Sequence, residues 1–306
     1  CGHLMGFMDS MSSVILHSLI IPGVKSMTSS AQTSLHQKPH FSSAAFSASP
    51  HSPALNPPCP GSAFVTGASG EIGSAIARAL AQKGYQLTLL GYHSKEALQN
   101  LTEELRSASK NQGSAIRVLP LLGDIADPAF VEEAAQKHLE QYGSIDLIVN
   151  NAGIAHLGLI TDMSVGDWQR LMDVNVNALF YTSKFLVPSM IRAQKGQIVN
   201  ISSMWGRVGA SCEVAYSASK GAVNAFTMAL AKELAPSHIQ VNALACGMID
   251  TRMNAMLSQE DKAAIVRDIP ADRMGTAQDV ARALIALLDS GDYLTGQVIG
   301  LDGGYI

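Results

Sequence analysis

The feature that most constrains the fold of this chain is a regular alternation of short apolar runs with longer helical stretches beyond residue 61. Each run ends in or near Gly, Asn or Asp, which favour turns. Strands that are apolar on both faces are typical of a parallel sheet with helices on both sides. The seven predicted strands are Ser62–Thr66, Gln86–Leu90, Ile116–Leu122, Ile145–Val149, Gln197–Ile201, Gln240–Leu244 and Gln297–Leu301.

The helices between these strands have recognisable starts. Asp127-Pro128 is typical of an N-cap followed by Pro at the first helical position. Ser164, followed by Asp167, predicts a capping box that opens a long helix. The alternation therefore predicts an α/β fold: a Rossmann-type, doubly wound parallel sheet of seven strands in a single domain over residues 62–306.

Residues 1–61 differ from the rest in composition. They contain 13 Ser and 5 His but no Glu or Arg, and Asp9 is their only acid. No hydrophobic periodicity runs through them, so they are predicted to be a disordered, low-complexity leader without a core of its own. Two interpretations stay open: a non-functional leader or over-extended reading frame, and a targeting segment.

The charge balance bears on the partners to expect. The chain is 47% hydrophobic and 15% charged, with a formal net charge of −4, which gives no reason to expect nucleic acid or an anionic membrane as a partner. Cys1, Cys59, Cys212 and Cys246 show neither metal-ligand spacing nor a disulfide framework. No metal site is predicted, and a reducing compartment, the cytoplasm, is expected.

A glycine-rich turn joins the first predicted strand to a helix predicted over Glu71–Lys83. Gly67, Gly70 and Gly73 lie in this turn. Glycines there permit close approach of the backbone to a pyrophosphate, which a helix N-terminus stabilises. The alternative is an ordinary glycine-rich turn, but the position directly after the first strand favours a dinucleotide site.

Tyr216 and Lys220 stand four residues apart in a stretch predicted to be helical, which puts both side chains on one helical face. A neighbouring positive charge favours a phenolate, so Lys220 is predicted to lower the pKa of Tyr216 toward neutrality. Such a pair suits delivery of a proton to a carbonyl oxygen. The alternative is an exposed helix with an ordinary Lys.

Together with the glycine turn, these residues resemble the short-chain dehydrogenase/reductase family over Gly61 to Ile306, in its short, single-domain branch. The resemblance includes Asn150–Gly153 after the fourth strand, and Thr295–Gln297 with Asp302–Gly304 near the end. One departure is Glu71, where the short branch usually has Gly. Its carboxylate is expected to point outward, because it would otherwise repel a pyrophosphate.

The resemblance implies four reaction-centre residues. Ser203, rather than its neighbour Ser202, would hydrogen-bond the substrate carbonyl oxygen. Tyr216 would be the acid for reduction and the base for oxidation, and Lys220 would bind the nicotinamide ribose and keep the phenol acidic. Asn175 would hold a water that links Lys220 to solvent.

For Asn175 a structural role is the alternative. It lies on a stripe at helical spacing that is predicted to be buried, and a buried amide needs hydrogen-bond partners in any case. The stripe consists of Trp168, Leu171, Met172 and Leu179.

The resemblance also implies a set of cofactor-binding residues. Asp124, which ends the third strand, would hold the adenine; its alternative role as a helix cap is already filled by Asp127. Asn151–Gly153 would line the adenosine side, with a plain turn as the alternative. The full predicted set is Gly67, Ser69, Gly70, Ile72, Gly73, Asp124, Asn151, Ala152, Gly153, Tyr216, Lys220, Ile249 and Thr251.

The end of the second strand bears on the choice of cofactor. An NAD enzyme of this architecture carries an acid there that binds the ribose diol. In this chain the first acid is Glu96, whereas Lys95 and His93 suit a 2′-phosphate. A basic residue that many NADP-using relatives carry in the glycine loop is absent at Ser69 and Gly70. NADP is therefore predicted, with NAD as the alternative.

Within the family, the chain resembles the bacterial 3-oxoacyl-acyl-carrier-protein reductases, on Arg273-Met-Gly275, the Thr295 to Gly304 ending and its compact length. The resemblance implies a 3-oxoacyl thioester, small or carried by an acyl carrier protein, as substrate in fatty acid synthesis. Arg192 and Lys195 are expected beside the active-site entrance, as a carrier-protein surface. The alternatives are a dehydrogenase of a sugar, steroid or small ketone, and a non-enzymatic, cofactor-binding regulator.

Three further expectations concern the periphery of the site. Cys246 stands where the family usually has Pro, and it is interpreted as structural because no activating base is identifiable. The polar segment Asn254–Asp268 is predicted to be a substrate lid. A homotetramer is expected, because two helices carry more apolar residues than one sheet face covers. These residues are Phe180, Phe185, Val223, Phe226 and Met228.

Overall fold

The computed structural model describes residues 61–111, 116–254 and 257–306, and the predicted leader lies outside these ranges. All seven predicted strands are present, and none of their ends differs by more than two residues from the prediction. The strands are β1 (Ser62–Val65), β2 (Gln86–Gly91), β3 (Val118–Leu122), β4 (Leu147–Asn150), β5 (Gly196–Ser203), β6 (Ile239–Cys246) and β7 (Val298–Leu301).

The seven strands form one sheet in the order β3-β2-β1-β4-β5-β6-β7, and every neighbouring pair is parallel. The doubly wound α/β fold is therefore confirmed. The connections run one way from β1 to β3 and the other way from β4 to β7. The reversal between β1 and β4 leaves a crevice at the carboxyl ends of these two strands.

Helices cover both faces of the sheet. On one face, α1, α2 and α9 bury a cluster that includes Ile76, Leu101 and Leu284, and on the other face α3, α5 and α7 bury a second cluster. The helices are α1 (Glu71–Gln82), α2 (Lys95–Asn111), α3 (Pro128–Tyr142), α4 (Val165–Met172), α5 (Ala178–Ala193), α6 (Trp205–Val208), α7 (Val214–Leu234), α8 (Gln259–Asp268) and α9 (Ala277–Leu288). Within the described ranges, none of the helices has both the length and the apolar character needed to cross a membrane.

The helix starts follow the predicted capping residues. The Asp127 carboxylate accepts a hydrogen bond from the Ala129 N–H at 2.9 Å. The Ser164 hydroxyl oxygen accepts one from the Asp167 N–H at 3.0 Å, and the hydroxyl donates to the Asp167 carboxylate at 2.7 Å. The predicted long helix after Ser164 consists of α4, a wide π turn over Asp173–Asn177, and α5.

The buried stripe predicted on this helix is only partly correct. Leu171 and Leu179 are buried and Met172 is half-buried, but the side chain of Trp168 is exposed. Trp168 lies near the start of α4 (Val165–Met172). Helical spacing identifies an apolar face, but it does not say how much of that face another element covers.

His138 is a fully buried imidazole between α3 and the sheet. Its Nδ1 is 2.8 Å from the Thr88 hydroxyl and its Nε2 is 3.1 Å from the Ser62 hydroxyl. Burial lowers the pKa of His138 from 6.5 to about 4. The histidine is therefore neutral in the folded protein near pH 7 and tolerates its apolar surroundings.

We expect His138 to make the fold acid-sensitive. Between pH 6.5 and about pH 4, the His138 imidazole binds a proton in the unfolded state but not in the folded state. The free energy of unfolding should therefore decrease as the pH falls from 6.5 to about 4, by up to about 3 kcal/mol at the lower pH. Urea unfolding of His138→Gln at pH 7 and pH 5 should show a smaller pH dependence than wild type. The exposed His93→Gln is the matched control, and equal pH dependence in both variants would contradict the assignment.

Candidate active site

A cavity of about 280 Å³ opens at the carboxyl ends of the central strands. Of the predicted site residues, it brings together members from α1, the turn after β4, the end of β5, α7 and the loop after β6. These are Ile72, Asn151, Gly153, Ser203, Tyr216, Lys220, Ile249 and Thr251. Other predicted residues lie outside its lining: Gly67, Ser69, Gly70, Gly73, Asp124, Ala152 and Asn175.

The glycine turn packs so closely against the turn after β4 that side chains are excluded. A Cβ on Gly67, whose φ is +65°, would lie 2.9 Å from the Ala152 Cα, and one on Gly73 would lie 2.3 Å from the Gly67 carbonyl oxygen. The Asn151 amide donates to the carbonyls of Thr66 and Gly67 at 3.0 and 3.2 Å. The bare backbone at the start of α1 fits a pyrophosphate. Asn151 positions this turn.

Glu71 has a hydrogen-bond partner outside the glycine turn. Its side chain is exposed, and its carboxylate accepts a hydrogen bond from the Arg252 N–H at 2.7 Å. This contact links the first turn of α1 to the segment after β6.

The two serines at the end of β5 differ in their partners. The Ser202 hydroxyl donates to the Asn224 side chain at 2.6 Å and is held against α7. The Ser203 oxygen accepts a hydrogen bond from the Trp205 N–H at 3.2 Å, and Ser203 also hydrogen-bonds Tyr216. Ser203 is therefore the serine that shares the site with the phenol.

Tyr216 and Lys220 lie together on one face of α7. The Lys220 ammonium is 5.7 Å from the centre of the Tyr216 ring, and it donates to the Ile201 carbonyl at 2.8 Å. Burial dominates both groups: it raises the pKa of Tyr216 above its ordinary value, although the Ser203 hydrogen bond lowers it, and it lowers the pKa of Lys220 to about 8. The predicted fall in the Tyr216 pKa is therefore wrong, because desolvation raises this pKa and outweighs the Ser203 hydrogen bond that lowers it.

Asn175 is fully buried in the π turn between α4 and α5. Its side-chain oxygen accepts from the Ile154 N–H at 2.8 Å, and its amide donates to the Ile154 carbonyl at 2.8 Å and to the Ser219 hydroxyl at 3.0 Å. A Cβ on Gly153 would lie 3.3 Å from the Asn175 oxygen and 3.5 Å from the Lys220 nitrogen. Asn175 thus holds the turn after β4 next to the catalytic helix. π turns are frequent at functional sites.

The loop after β6 forms another wall of the cavity. Ile249 pairs with Gly275, where any Cβ would lie 2.5 Å from the Ile249 side chain. A Cβ on Gly247 would lie 2.6 Å from the Asp302 backbone. The Gly275 and Asp302–Gly304 motifs therefore support the loop that carries Ile249 and Thr251.

Cys246 is a buried, free cysteine at the end of β6 that also lines the cavity. Burial raises the pKa of its thiol to about 12, although the charge of Lys220 lowers it. A protonated thiol is a poor nucleophile, so the environment suits the predicted structural role.

At the adenosine end, Asp124 has a partner that the sequence did not indicate. The Arg170 guanidinium binds its carboxylate at 2.7 and 3.1 Å, and the Ala126 N–H donates to it at 2.9 Å. Arg170 also lies 5.5 Å from the centre of the exposed Tyr92 ring. Most of the hydrogen-bonding capacity of Asp124 is therefore used within the protein, and these three bonds leave at most one of the four lone-pair sites of the carboxylate for a ligand.

The positions of Arg192 and Lys195 correct the expectation that they lie beside the entrance. Both come just before Gly196, at the amino end of β5, whereas Ser203 ends this strand. Seven residues of strand separate the two ends by about 23 Å. The Lys195 ammonium also pairs with the Asp146 carboxylate at 3.1 Å. Within one subunit these cations face away from the cavity.

Several cavity residues were missed in the sequence, among them Trp205, Glu213 and Tyr305. The Trp205 and Tyr305 rings contact edge to face, with 6.2 Å between their centres. Glu213 could have been identified from its spacing, because it precedes Tyr216 by three residues, which places the two on one face of a helix. The predicted lid also contributes, because Asn254, Leu257 and Ile265 line the cavity.

Several known proteins resemble this chain in sequence or in structure. A family model described as short chain dehydrogenase matches residues 62–262. A 3-oxoacyl-[acyl-carrier-protein] reductase of Thermotoga maritima is 37% identical over 79% of this chain and 96% of its own length. Two solved structures both have a TM-score of 0.74. A putative gluconate dehydrogenase of Agrobacterium tumefaciens is 30% identical, over 80% of this chain and 96% of its own. YwfH, an NADPH-dependent reductase involved in bacilysin biosynthesis, is 27% identical, over 80% and 98%.

Proposed function

The chain belongs to the short-chain dehydrogenase family of oxidoreductases, and on that basis we propose that it reduces the ketone of a 3-oxoacyl thioester with NADPH. The alternative is reduction of a sugar, steroid or small ketone by the same residues. We propose the cytoplasm as its compartment, on the cysteine pattern of the sequence.

The observation that carries the proposal is the convergence of Ser203, Tyr216 and Lys220 on one cavity, beside a glycine turn that fits a pyrophosphate. When hydride comes from a cofactor, a hydroxyl can stabilise the charge that develops on the carbonyl oxygen, and a phenol beside an ammonium can donate the proton.

In the proposed mechanism, the Ser203 hydroxyl donates a hydrogen bond to the substrate carbonyl oxygen and stabilises the charge that develops there. Tyr216, whose pKa is raised by burial, is protonated at neutral pH and donates its proton to that oxygen. Lys220 stabilises the resulting phenolate. Asn175 keeps the turn after β4 in register with α7. A nicotinamide cofactor supplies the hydride when bound, and the glycine turn, Ile249 and Thr251 would hold it.

We propose NADP as the preferred cofactor. The residues that follow β2 support this: His93 and Lys95 are exposed and no acid precedes Glu96. The NADPH dependence of YwfH points the same way. We expect kcat/KM to be at least about tenfold higher with NADPH than with NADH, because a contact between a charged side chain and the 2′-phosphate is worth about 1.4 kcal/mol. Lys95→Ala should reduce this ratio, since it removes such a contact. Lys232→Ala, an exposed lysine on α7, is the control, and a preference for NADH would overturn the proposal.

The substrate proposal is tested by a panel. We would assay acetoacetyl-CoA, acetoacetyl-carrier protein, a sugar ketone and a steroid ketone with both nicotinamides. Good turnover of a thioester supports the proposal. Turnover restricted to the sugar or steroid would replace it with the alternative that the gluconate dehydrogenase relative suggests. Turnover of none of them would favour a cofactor-binding regulator.

The panel also addresses the carrier protein. Arg192 and Lys195 lie at the amino end of β5, so they would serve a carrier protein only at the entrance of a neighbouring subunit. Their reversal to Glu should raise KM for the carrier-linked substrate and spare acetoacetyl-CoA if such a surface exists, because charges at an interface rim act on encounter and orientation.

We propose that the protein is a homotetramer. Trp168, Phe180 and Met228 expose large apolar side chains on α4, α5 and α7, which is typical of a surface that another subunit covers. Val223, which was expected to contribute, is buried inside the subunit. Light scattering should give four subunits at micromolar concentration, and Phe180→Asp should dissociate them. Tyr293→Asp, at a residue that is 99% exposed, is the control. A monomeric wild type would contradict the proposal.

A further inference from the structure

Glu213 is a carboxylate in the wall of the reaction cavity, and the mechanism does not use it. It immediately precedes α7, and its carbonyl accepts the first helical hydrogen bond, from the Ser217 N–H at 2.8 Å. Its side chain is half-buried. Among the described residues that line the cavity, Glu213 is the only acid.

The surroundings of Glu213 show that its carboxylate belongs to the same space as the reacting phenol. Burial raises the pKa of Glu213, and a hydrogen bond from the Trp205 side chain lowers it. Glu213 in turn raises the pKa of Tyr216, with burial as the larger cause. The other groups that face Tyr216 are Ser203, Cys246 and Lys220.

Many of the other side chains that line the cavity are apolar. They include Trp205, whose ring contacts the Tyr305 ring edge to face, and Leu157, Met204, Met253, Leu257 and Ile265. Among the described residues that line the cavity, Glu213 and Lys220 are the two with charged side chains. A substrate that reaches Tyr216 therefore meets the ammonium of Lys220 and one negative charge, that of Glu213.

We propose that Glu213 determines substrate specificity: it excludes ketones that carry a carboxylate near the reacting carbonyl, and it accepts a hydrogen bond from an N–H or O–H group of an uncharged substrate. The amide N–H of the thiol arm of a 3-oxoacyl thioester is such a donor, whereas a free 3-oxo acid places an anion against the carboxylate. This inference rests on the proposed reduction of a carbonyl in this cavity. Two like charges about 6 Å apart, at an effective dielectric constant of about 20, discriminate by roughly 10- to 100-fold.

The test compares one 3-oxo acid in two forms, methyl acetoacetate and acetoacetate. Both substrates undergo the same reduction of the ketone. The ratio of kcat/KM for the ester to kcat/KM for the acid therefore measures the effect of the substrate's negative charge. In Glu213→Gln this ratio should fall at least tenfold, mainly through a gain on the acid. Glu233→Gln removes an exposed carboxylate on the same helix, about 30 Å away by helical rise, and should leave this ratio unchanged.

A binding measurement separates this inference from the proposed function. Trp205 lines the cavity, so its fluorescence reports binding of ester and acid without turnover. If wild type reduces no ketone but the binding ratio responds to Glu213→Gln, the proposed function fails and the inference stands. If wild type is active and the ratio is unchanged in Glu213→Gln, the inference is overturned and the proposed function stands.

Discussion

Replacing Tyr216 with Phe is expected to lower turnover by about 10²–10⁴-fold, the usual contribution of a positioned general acid. The ring of Phe fills the same space on α7, and only the transferable proton and the hydrogen bond to Ser203 are lost. Because the phenol acts on the substrate oxygen, the affinity for the cofactor should change little. Steady-state rates and a fluorescence titration with NADPH would measure the two effects separately.

Tyr305→Phe is the matched control, because Tyr305 also lines the cavity and loses the same oxygen. It has no proposed role in proton transfer and should remain close to wild type. If Tyr216→Phe retained more than a tenth of wild-type activity, Tyr216 would not be the acid.

Lys220→Met is expected to lower the rate by about 10²-fold or more and to weaken cofactor binding. The substitution keeps an apolar stem in a buried position and removes the ammonium next to Tyr216. Without that charge, the phenolate formed by proton donation is left in a desolvated site. The proposed contact of Lys220 with the nicotinamide ribose is lost as well, so both effects should appear together.

The pH dependence gives a sharper readout of Lys220. Burial lowers its pKa to about 8, so the ammonium loses its proton as the pH rises through that value. The wild-type kcat/KM for reduction should therefore fall above about pH 8, and Lys220→Met should lack this limb. Lys232→Met, an exposed lysine on the same helix, should keep the limb. A wild-type profile that stays flat to pH 10, or a limb that survives in Lys220→Met, would contradict the role.

The fold could be predicted almost completely from local patterns. A buried parallel strand is apolar on both faces and is bounded by turn residues, so all seven strands were placed to within two residues. Helix α9 (Ala277–Leu288) also begins at a local signal, a capping box. Its start is set by Thr276, whose hydroxyl oxygen accepts the Asp279 N–H at 3.1 Å, and such caps depend only on neighbours along the chain.

The π turn at Asp173–Asn177 and the exposure of Trp168 were not predicted. Both depend on what packs against the helix, because an apolar stripe looks the same in sequence whether or not another element covers it. The same holds for the pKa of Tyr216. The direction of its shift depends on how much water burial removes from the phenol, and spacing alone does not contain that quantity.

By itself the sequence determined the sheet, the glycine turn and the Tyr216–Lys220 pair, since each depends on residues close together in the chain. The family resemblance favoured Ser203 over Ser202, and the tertiary structure supplied the physical difference between them, which lies in their different partners on α7. It alone showed that Arg192 and Lys195 lie at the opposite end of β5 from the site. Such facts depend on the three-dimensional course of whole strands and helices, because a site is assembled from residues that are distant in the chain and meet only after folding.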